Sequence, residues 1–108
     1  MNRKRFTLAF AATILATVWM AAPLAADTAA LYKSKCFACH GEKGSGDTVM
    51  GKKLGVRNLG SAPVQAQNDA ALTKIISGGK NKMPAYSGKI PDADIKALVA
   101  HIRTFAAK

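Results

Sequence analysis

The chain has 108 residues, with 16 Lys and Arg against 6 Asp and Glu, a net charge of +10 and only 6% aromatic residues. So short a chain excludes a multidomain protein with a large core. The positive charge indicates an anionic partner, which could be nucleic acid, anionic lipid or an acidic protein. Nucleic acid is disfavoured, because the sequence has no basic helix with interleaved aromatic residues.

The N-terminus predicts a secretory signal peptide at residues 1–26. A basic segment, residues 2–5, precedes an apolar run from Phe6 to Met20, and small residues follow up to Ala26. This order is typical of a signal cleaved after export to the periplasm, here near Ala26. The alternative is an uncleaved anchor, because residues 6–26 just reach the roughly 20 apolar residues that span a bilayer.

Cleavage would leave a single domain, residues 27–108. A domain of about this size usually needs a disulfide, a metal or another stabilising group. Its first predicted helix begins with Asp27 or Thr28 as cap and leads into Cys36. The glycine-rich stretch that follows, residues 41–60, is predicted as loop with one helical turn near residues 50–54.

A second helix is predicted after Asn68 or Asp69, either of which can cap it, and it should end at Gly78 and Gly79. The next segment, residues 80–91, contains two prolines and a glycine. We therefore expect an extended or turning chain there, with no helix across it.

The last predicted helix has the clearest pattern, because apolar residues follow the three-four spacing of one buried helical face. Pro91 suits its entry, and Asp92 and Asp94 suit the positive end of its dipole. The apolar positions are Ile95, Leu98, Val99, Ile102 and Phe105. No stretch alternates long enough to predict a sheet, so the fold class is all-α with three main helices.

Cys36, Cys39 and His40 form a Cys-x-x-Cys-His motif, the spacing used for covalent attachment of c-type haem. Cysteines three residues apart on a helical turn share one side and can bond to the two vinyl groups of a porphyrin, while the adjacent histidine reaches the iron. Two alternatives are a thioredoxin-like thiol pair, which normally follows a strand, and a structural zinc site. Zinc needs four ligands, and only His101 remains as the fourth.

One histidine fills only one axial position of a haem iron, so a second ligand is needed. The candidates are Met50, Met83 and His101. Met50 is only ten residues from His40 and would need a tight wrap around the ring, and His101 falls within the last helix. Met83 lies in the non-helical segment, and Pro84 stiffens the backbone after it. We therefore favour Met83 as the second ligand.

The motif and the segments that follow it resemble the small, single-haem, class I cytochrome c family of bacteria. The matching stretches are "CFACHG" at 36–41, "GGKNKMPAYSGKI" at 78–90 and "DADIKALVAHIRTF" at 92–105. The resemblance implies the class I cytochrome c fold, with three main helices around one covalently attached haem c. It also implies thioether bonds at Cys36 and Cys39, and axial ligation by His40 and Met83.

The resemblance also places residues around the haem. Tyr32 occupies the position of an aromatic at the crossing of the first and last helices, and His101 stands where many members have a tyrosine. Arg57 replaces a proline whose carbonyl accepts the proximal histidine N–H, a role that a carbonyl here can still take. Tyr86 and Ile90 are assigned to the wall of the haem pocket.

The function implied is one-electron transfer by a monomeric periplasmic carrier, not an enzyme, because His40 and Met83 leave no open position on the iron. The expected partners are acidic redox proteins, a reductase and an oxidase or their equivalents, with no nucleic acid and no stable membrane insertion after signal cleavage. Lys35, Lys80 and Lys82 would steer docking near the haem edge.

Two alternatives to the soluble carrier stay open. The first is a haem redox subunit fixed in a membrane complex. The second is a peroxidase-like or gas-binding haem protein, which applies if Met83 is not a stable ligand.

Overall fold

The computed structural model describes residue 9, residues 11–17 and residues 25–107. In this part of the chain there is no strand, only two isolated bridges, Lys80 with Met83 and Ser87 with Ile90. The helices are α1 (Ala25–Lys35), α2 (Phe37–His40), α3 (Val49–Leu54), α4 (Ala62–Gln65), α5 (Asp69–Gly78) and α6 (Asp92–Arg103). The prediction of an all-α fold with three main helices, now α1, α5 and α6, is confirmed.

The predicted signal peptide, residues 1–26, lies largely outside the described residues. Among the residues that are described, none of the helices combines the length and the apolar character that a bilayer crossing requires. Helix α1 begins at Ala25, two residues before the expected cap. Ala25 and Ala26 have a high helix propensity, which explains the earlier start.

Helix α6 is the centre of the core and packs against both α1 and α5. Four of its predicted apolar positions are buried, and Ile95 and Leu98 are the largest fully buried side chains of the described chain. The buried cluster consists of Tyr32, Val64, Leu72, Ile76, Ile90, Ile95, Leu98, Val99 and Ile102. One face of α6 therefore joins the N-terminal helix to the middle of the chain.

Phe105 differs from the prediction, because α6 ends at Arg103 and Phe105 lies in the following turn. The Thr104 hydroxyl donates to the carbonyl oxygen of His101 at 2.6 Å and so satisfies one of the last carbonyl groups of the helix. The ring of Phe105 still packs on Tyr32, with centroids 5.3 Å apart. The aromatic contact at the helix crossing is thus preserved outside the helix.

Helix α5 has the predicted cap and end. The Asn68 side chain accepts a hydrogen bond from the Ala71 amide at 2.8 Å, and the Gly79 amide donates to the Ile75 carbonyl at 2.8 Å. Gly79 has a φ of 73°, and a Cβ there would lie 2.6 Å from the Met83 carbonyl oxygen. Only glycine lets the chain turn back so closely against the end of α5.

Helices α2 and α4 have four residues each; the sequence predicts α2 only as the helical turn of the motif, and it does not predict α4. Helix α4 is held by side-chain contacts to the end of α6. The Gln65 amide donates to the carbonyl oxygens of Leu59 and Ile102 at 2.8 and 3.1 Å, and the Arg103 guanidinium donates to the Gln65 carbonyl at 2.8 Å. Ile102 and Arg103 are 37 and 38 residues away from Gln65 in sequence, so a local pattern does not reveal the helix.

Replacing Arg103 with methionine tests this connection. Arg103 is 29% exposed at its side chain and also donates to the Asp69 carboxylate at 2.8 Å. Arg103→Met leaves the partly buried Gln65 carbonyl without its donor, so we expect the free energy of unfolding to fall by about 1–3 kcal/mol. Urea unfolding followed by circular dichroism measures it. Lys96→Met, an exposed change on the same helix, is the control, and an equal effect of the two would contradict the role of Arg103.

A second prediction concerns the Tyr32 hydroxyl, which donates to the Gly41 carbonyl at 2.7 Å in a buried position. Tyr32→Phe removes this donor and should lower the free energy of unfolding by about 1–2 kcal/mol. Tyr86→Phe is the matched control, because the Tyr86 hydroxyl reaches the Lys35 carbonyl at 3.1 Å in an exposed position. That loss should stay within about 0.5 kcal/mol. If Tyr86→Phe destabilises the protein more than Tyr32→Phe, the argument from burial is wrong.

Candidate functional site

The Cys-x-x-Cys-His motif occupies a helical turn directly after α1. The Cys36 amide donates to the Tyr32 carbonyl at 2.8 Å, and the His40 amide donates to the Cys36 carbonyl at 2.9 Å. Gly41 then takes a φ of 79° and ends α2. The two cysteines therefore lie one helical turn apart and face the same cavity.

This cavity has a volume of about 560 Å³, within the usual range of cofactor pockets. It brings together all four residues selected from the sequence, Cys36, Cys39, His40 and Met83. Tyr86 and Ile90 also line it, as expected. The remaining wall is mainly apolar and includes Leu59, Val64, Leu72, Ile76, Leu98 and Ile102.

Met83 enters the cavity wall from the segment between α5 and α6. Its amide donates to the Lys80 carbonyl at 2.9 Å, and the Lys80 amide donates to the Met83 carbonyl at 3.2 Å. Further along, the Tyr86 amide donates to the Ile76 carbonyl at 3.0 Å, which fastens the segment to α5. The main chain therefore holds the half-buried Met83 in the wall of the cavity that the motif also lines.

The two competing ligand candidates do not line this cavity. Met50 lies on α3 and is 45% exposed. The His101 ring packs against two aromatic rings, with centroids 5.0 Å from Tyr32 and 5.1 Å from Phe105. Because His101 does not line the cavity, it is not placed to act as a fourth zinc ligand with Cys36, Cys39 and His40.

His40 is the one residue of the motif with an unpartnered buried polar atom. Its Nδ1 atom has no hydrogen-bond partner, so the expected contact with a carbonyl of residues 56–60 is absent, although Val56 and Arg57 line the same cavity. Burial also lowers the pKa of His40. The imidazole is therefore held in its neutral form, the form that ligates metals. Because unsatisfied buried nitrogens are rare, this ring indicates a binding site.

The Cys36 thiol differs from a reactive thiol-disulfide site. Burial, and secondly the nearby Cys39, raises the pKa of Cys36 to about 11. Catalytic thiols of the Cys-x-x-Cys type have a lowered pKa instead, because the thiolate is their nucleophile. The electrostatics of the turn therefore disfavour the thioredoxin-like interpretation.

The mouth of the cavity carries exposed positive charge. Lys35, Lys80 and Lys82 line it, as the sequence suggests, together with Arg57. Among the described residues that line the cavity there is no Asp or Glu. The sequence did not indicate Arg57 as a positively charged residue of the cavity wall. It assigned only the main-chain carbonyl groups around Arg57 to the site.

The wall of the cavity is mainly apolar and carries an imidazole, a thioether and two thiols, those of His40, Met83, Cys36 and Cys39. This set of groups fits a c-type haem. The cysteines are spaced for the covalent bonds, and the nitrogen and sulfur donors come from two different segments of the wall. Neutral imidazole and thioether are the ligands of cytochrome c iron. The described residues therefore provide every group that this cofactor requires.

Comparison with known proteins finds similarity to cytochromes of the c type. Residues 23–102 match the family described as "Cytochrome C oxidase, cbb3-type, subunit III". Cytochrome c6 of Thermosynechococcus vestitus is 32% identical over 98% of this chain and 96% of its own length. The subunit CcoP of the cbb3-type cytochrome c oxidase of Azospirillum brasilense is 32% identical over 67% of this chain, which spans only 25% of that subunit.

A solved structure of similar fold is that of the KustC0563 c-type cytochrome. It has a TM-score of 0.69 and 32% sequence identity, and the match covers 74% of this chain and 98% of the other. Fold, family match and nearly full-length relatives agree with one another and with the predicted fold class. The chain therefore belongs to the class I cytochrome c family, whose members carry a covalently bound c-type haem.

Proposed function

We propose that this protein is a periplasmic one-electron carrier that holds one haem c in the cavity between α2, α5 and α6. The observation that carries the proposal is the meeting of Cys36, Cys39, His40 and Met83 on one apolar cavity. When bound, a c-type haem supplies an iron that takes up and gives back a single electron. In this proposal the two cysteines attach the cofactor through thioether bonds, and His40 and Met83 are its axial ligands.

The chain's own residues account for a carrier rather than an enzyme. His40 and Met83 as the two axial ligands would leave no position for a substrate on the iron. A thioether ligand favours the reduced state of the metal, and so does an apolar surrounding. Nearly full-length similarity to proteins named cytochrome c6 supports the same assignment.

The proposed partners are acidic redox proteins, a reductase and an oxidase or their equivalents, which the monomeric carrier meets in the periplasm. The exposed Lys35, Lys80 and Lys82 at the cavity mouth support this part of the proposal. Positive charge at the site of electron exchange attracts an acidic docking face and orients the encounter. The signal peptide would be removed near Ala26.

A second candidate is a haem subunit fixed in a membrane complex. It is favoured by the family match to subunit III of cbb3-type oxidases and by the similarity to CcoP. Such a subunit would remain with an integral membrane partner during purification, whereas a carrier would not.

The intact mass of the native protein tests cofactor attachment and cleavage together. We expect the mass of residues 27–108 plus one haem, retained under denaturing conditions because thioether bonds are covalent. The variant Cys36→Ala with Cys39→Ala should lose the added mass. A mass that includes residues 1–26 would favour an anchored protein, and a wild-type mass without haem would contradict covalent attachment.

The absorption spectrum of the oxidised protein tests the second axial ligand. Met83→Ala should abolish the weak far-red iron-sulfur charge-transfer band and allow the reduced protein to bind carbon monoxide at once, because one axial position opens. Met50→Ala is the control and should keep the band and exclude carbon monoxide. Immediate carbon monoxide binding by the wild type would instead favour the gas-binding or peroxidase-like alternative.

A further inference from the structure

One residue other than glycine adopts a positive φ in the part of the chain that the structure describes. It is Asn81, with a φ of 54°, in the segment that carries Met83. Residues with a Cβ rarely adopt this left-handed conformation, and asparagine tolerates it better than most. Uncommon backbone conformations of this kind concentrate at functional sites. The place of Asn81, two residues before the proposed axial ligand, indicates that its conformation serves the haem site.

Asn81 lies in a four-residue turn that is closed by two main-chain hydrogen bonds. The Met83 amide donates to the Lys80 carbonyl at 2.9 Å, and the Lys80 amide donates to the Met83 carbonyl at 3.2 Å. Asn81 and Lys82 are the two central residues, and we call residues 80–83 the Met83 turn. Because both main-chain polar groups of Met83 belong to this turn, the conformation of the turn sets the position of the Met83 backbone.

The Met83 turn is fixed to the body of the domain on both sides. Before it, the Gly79 amide donates to the Ile75 carbonyl at 2.8 Å. After it, the Tyr86 amide donates to the Ile76 carbonyl at 3.0 Å. Both acceptors belong to α5. A change within the turn therefore cannot be absorbed by a shift of the whole segment along this helix.

The backbone around Met83 also has little freedom of its own. A Cβ at Gly79 would lie 2.6 Å from the Met83 carbonyl oxygen, so the turn packs closely against the end of α5. Pro84 has a fixed φ, and its ring disfavours the helical conformation at Met83. The direction of Met83 therefore depends on the torsion angles of Asn81 and Lys82, and of these two Asn81 has the positive φ.

We propose that Asn81 is a positioning residue for Met83, because its left-handed backbone conformation holds the Met83 turn closed and so keeps other ligands away from the iron. This inference rests on the proposed function, in which Met83 is an axial ligand. Asn81 acts through the backbone of the turn, so its side chain needs no contact with the cofactor. Opening of the turn breaks the two hydrogen bonds between Lys80 and Met83 and frees an axial position.

The conformational preferences of asparagine suit this role. Glycine adopts a positive φ without cost, but it gives the open turn more conformations and so favours opening. Alanine and valine restrict the open turn, but their Cβ makes the left-handed conformation costly, most of all for the β-branched valine. The closed turn should therefore be similarly stable with asparagine and glycine at position 81, weaker with alanine and weakest with valine.

The affinity of the oxidised, haem-loaded protein for imidazole, titrated by visible absorption, measures the population of the open turn. Imidazole binds the iron only when Met83 has left it, so its apparent affinity is proportional to that population. Asn81→Val should raise the affinity about five- to thirtyfold, as the strain of one left-handed residue implies. Asn81→Gly should stay within about threefold of the wild type. The far-red iron-sulfur band should persist in both variants, because Met83 still occupies the iron in most molecules.

Gly88→Val is the matched control, because it places the same side chain at another positive φ of the segment between α5 and α6. Gly88 has a φ of 78°, a Cβ there would meet no atom within 4 Å, and it lies outside the Met83 turn. Gly88→Val should lower the free energy of unfolding at least as much as Asn81→Val, yet keep the imidazole affinity within about twofold of the wild type. An equal rise in affinity for the two variants would assign the effect to general destabilisation and overturn the proposal.

Asn81→Ala keeps the test decisive if Asn81→Val does not incorporate haem. Alanine carries a Cβ but no β-branch, so its strain in the turn is smaller than that of valine. We expect an imidazole affinity about three- to tenfold above that of the wild type. An affinity of Asn81→Ala equal to that of the wild type would contradict the role of Asn81.

The spectrum of the wild type separates failure of this inference from failure of the proposed function. A wild type that shows the far-red band, with unchanged imidazole affinities in the alanine and valine variants of Asn81, would overturn the positioning role alone. A wild type that lacks the band and binds imidazole and carbon monoxide at once would overturn axial ligation by Met83. That result would favour the gas-binding or peroxidase-like alternative over the carrier, and the inference would fall with it.

Discussion

The packing of α1 against α6 is the contact on which the position of the haem motif depends. Tyr32 is buried at this crossing and contacts the rings of His101 and Phe105. Its hydroxyl also binds the Gly41 carbonyl, immediately after the motif. The Tyr32 carbonyl accepts from the Cys36 amide at the start of the turn. One residue therefore joins the crossing of α1 and α6 to both ends of the turn that carries Cys36, Cys39 and His40, so a shift of either helix moves the turn.

The other side of the cavity is positioned by main-chain hydrogen bonds. The segment with Met83 is attached to the end of α5 through the Tyr86 amide and the turn between Lys80 and Met83. Side chains along α5 and α6 supply the apolar wall between these two supports. A domain of this length has little other apolar surface to bury, so the residues of its cavity wall and of its core are largely the same. Leu72, Ile76, Leu98 and Ile102 belong to both sets.

Sequence patterns predicted the parts of the fold that are determined locally. The caps and periodicity of α5 and α6, the irregular segment with Met83 and the turn after His40 follow from residues close in sequence. Helix α4 depends on Gln65 and Arg103, whose partners are more than 30 residues away. Contacts at this separation leave no periodic signal. The position of Arg57 in the cavity wall likewise depends on how the loop after α3 folds. The same is true of the His40 Nδ1 atom, which the loop leaves without a hydrogen-bond partner.

Helix α3 shows how one close contact determines where apolar side chains lie. Valine and methionine are usually buried, yet Val49 and Met50 are 89% and 45% exposed. The close approach of Gly51 to the motif reserves the inward side of the helix for a residue without a side chain. The side chains of Val49 and Met50 are then placed on the outside of the helix. The close approach of α3 to the motif and the exposure of these two side chains are therefore consequences of the same glycine.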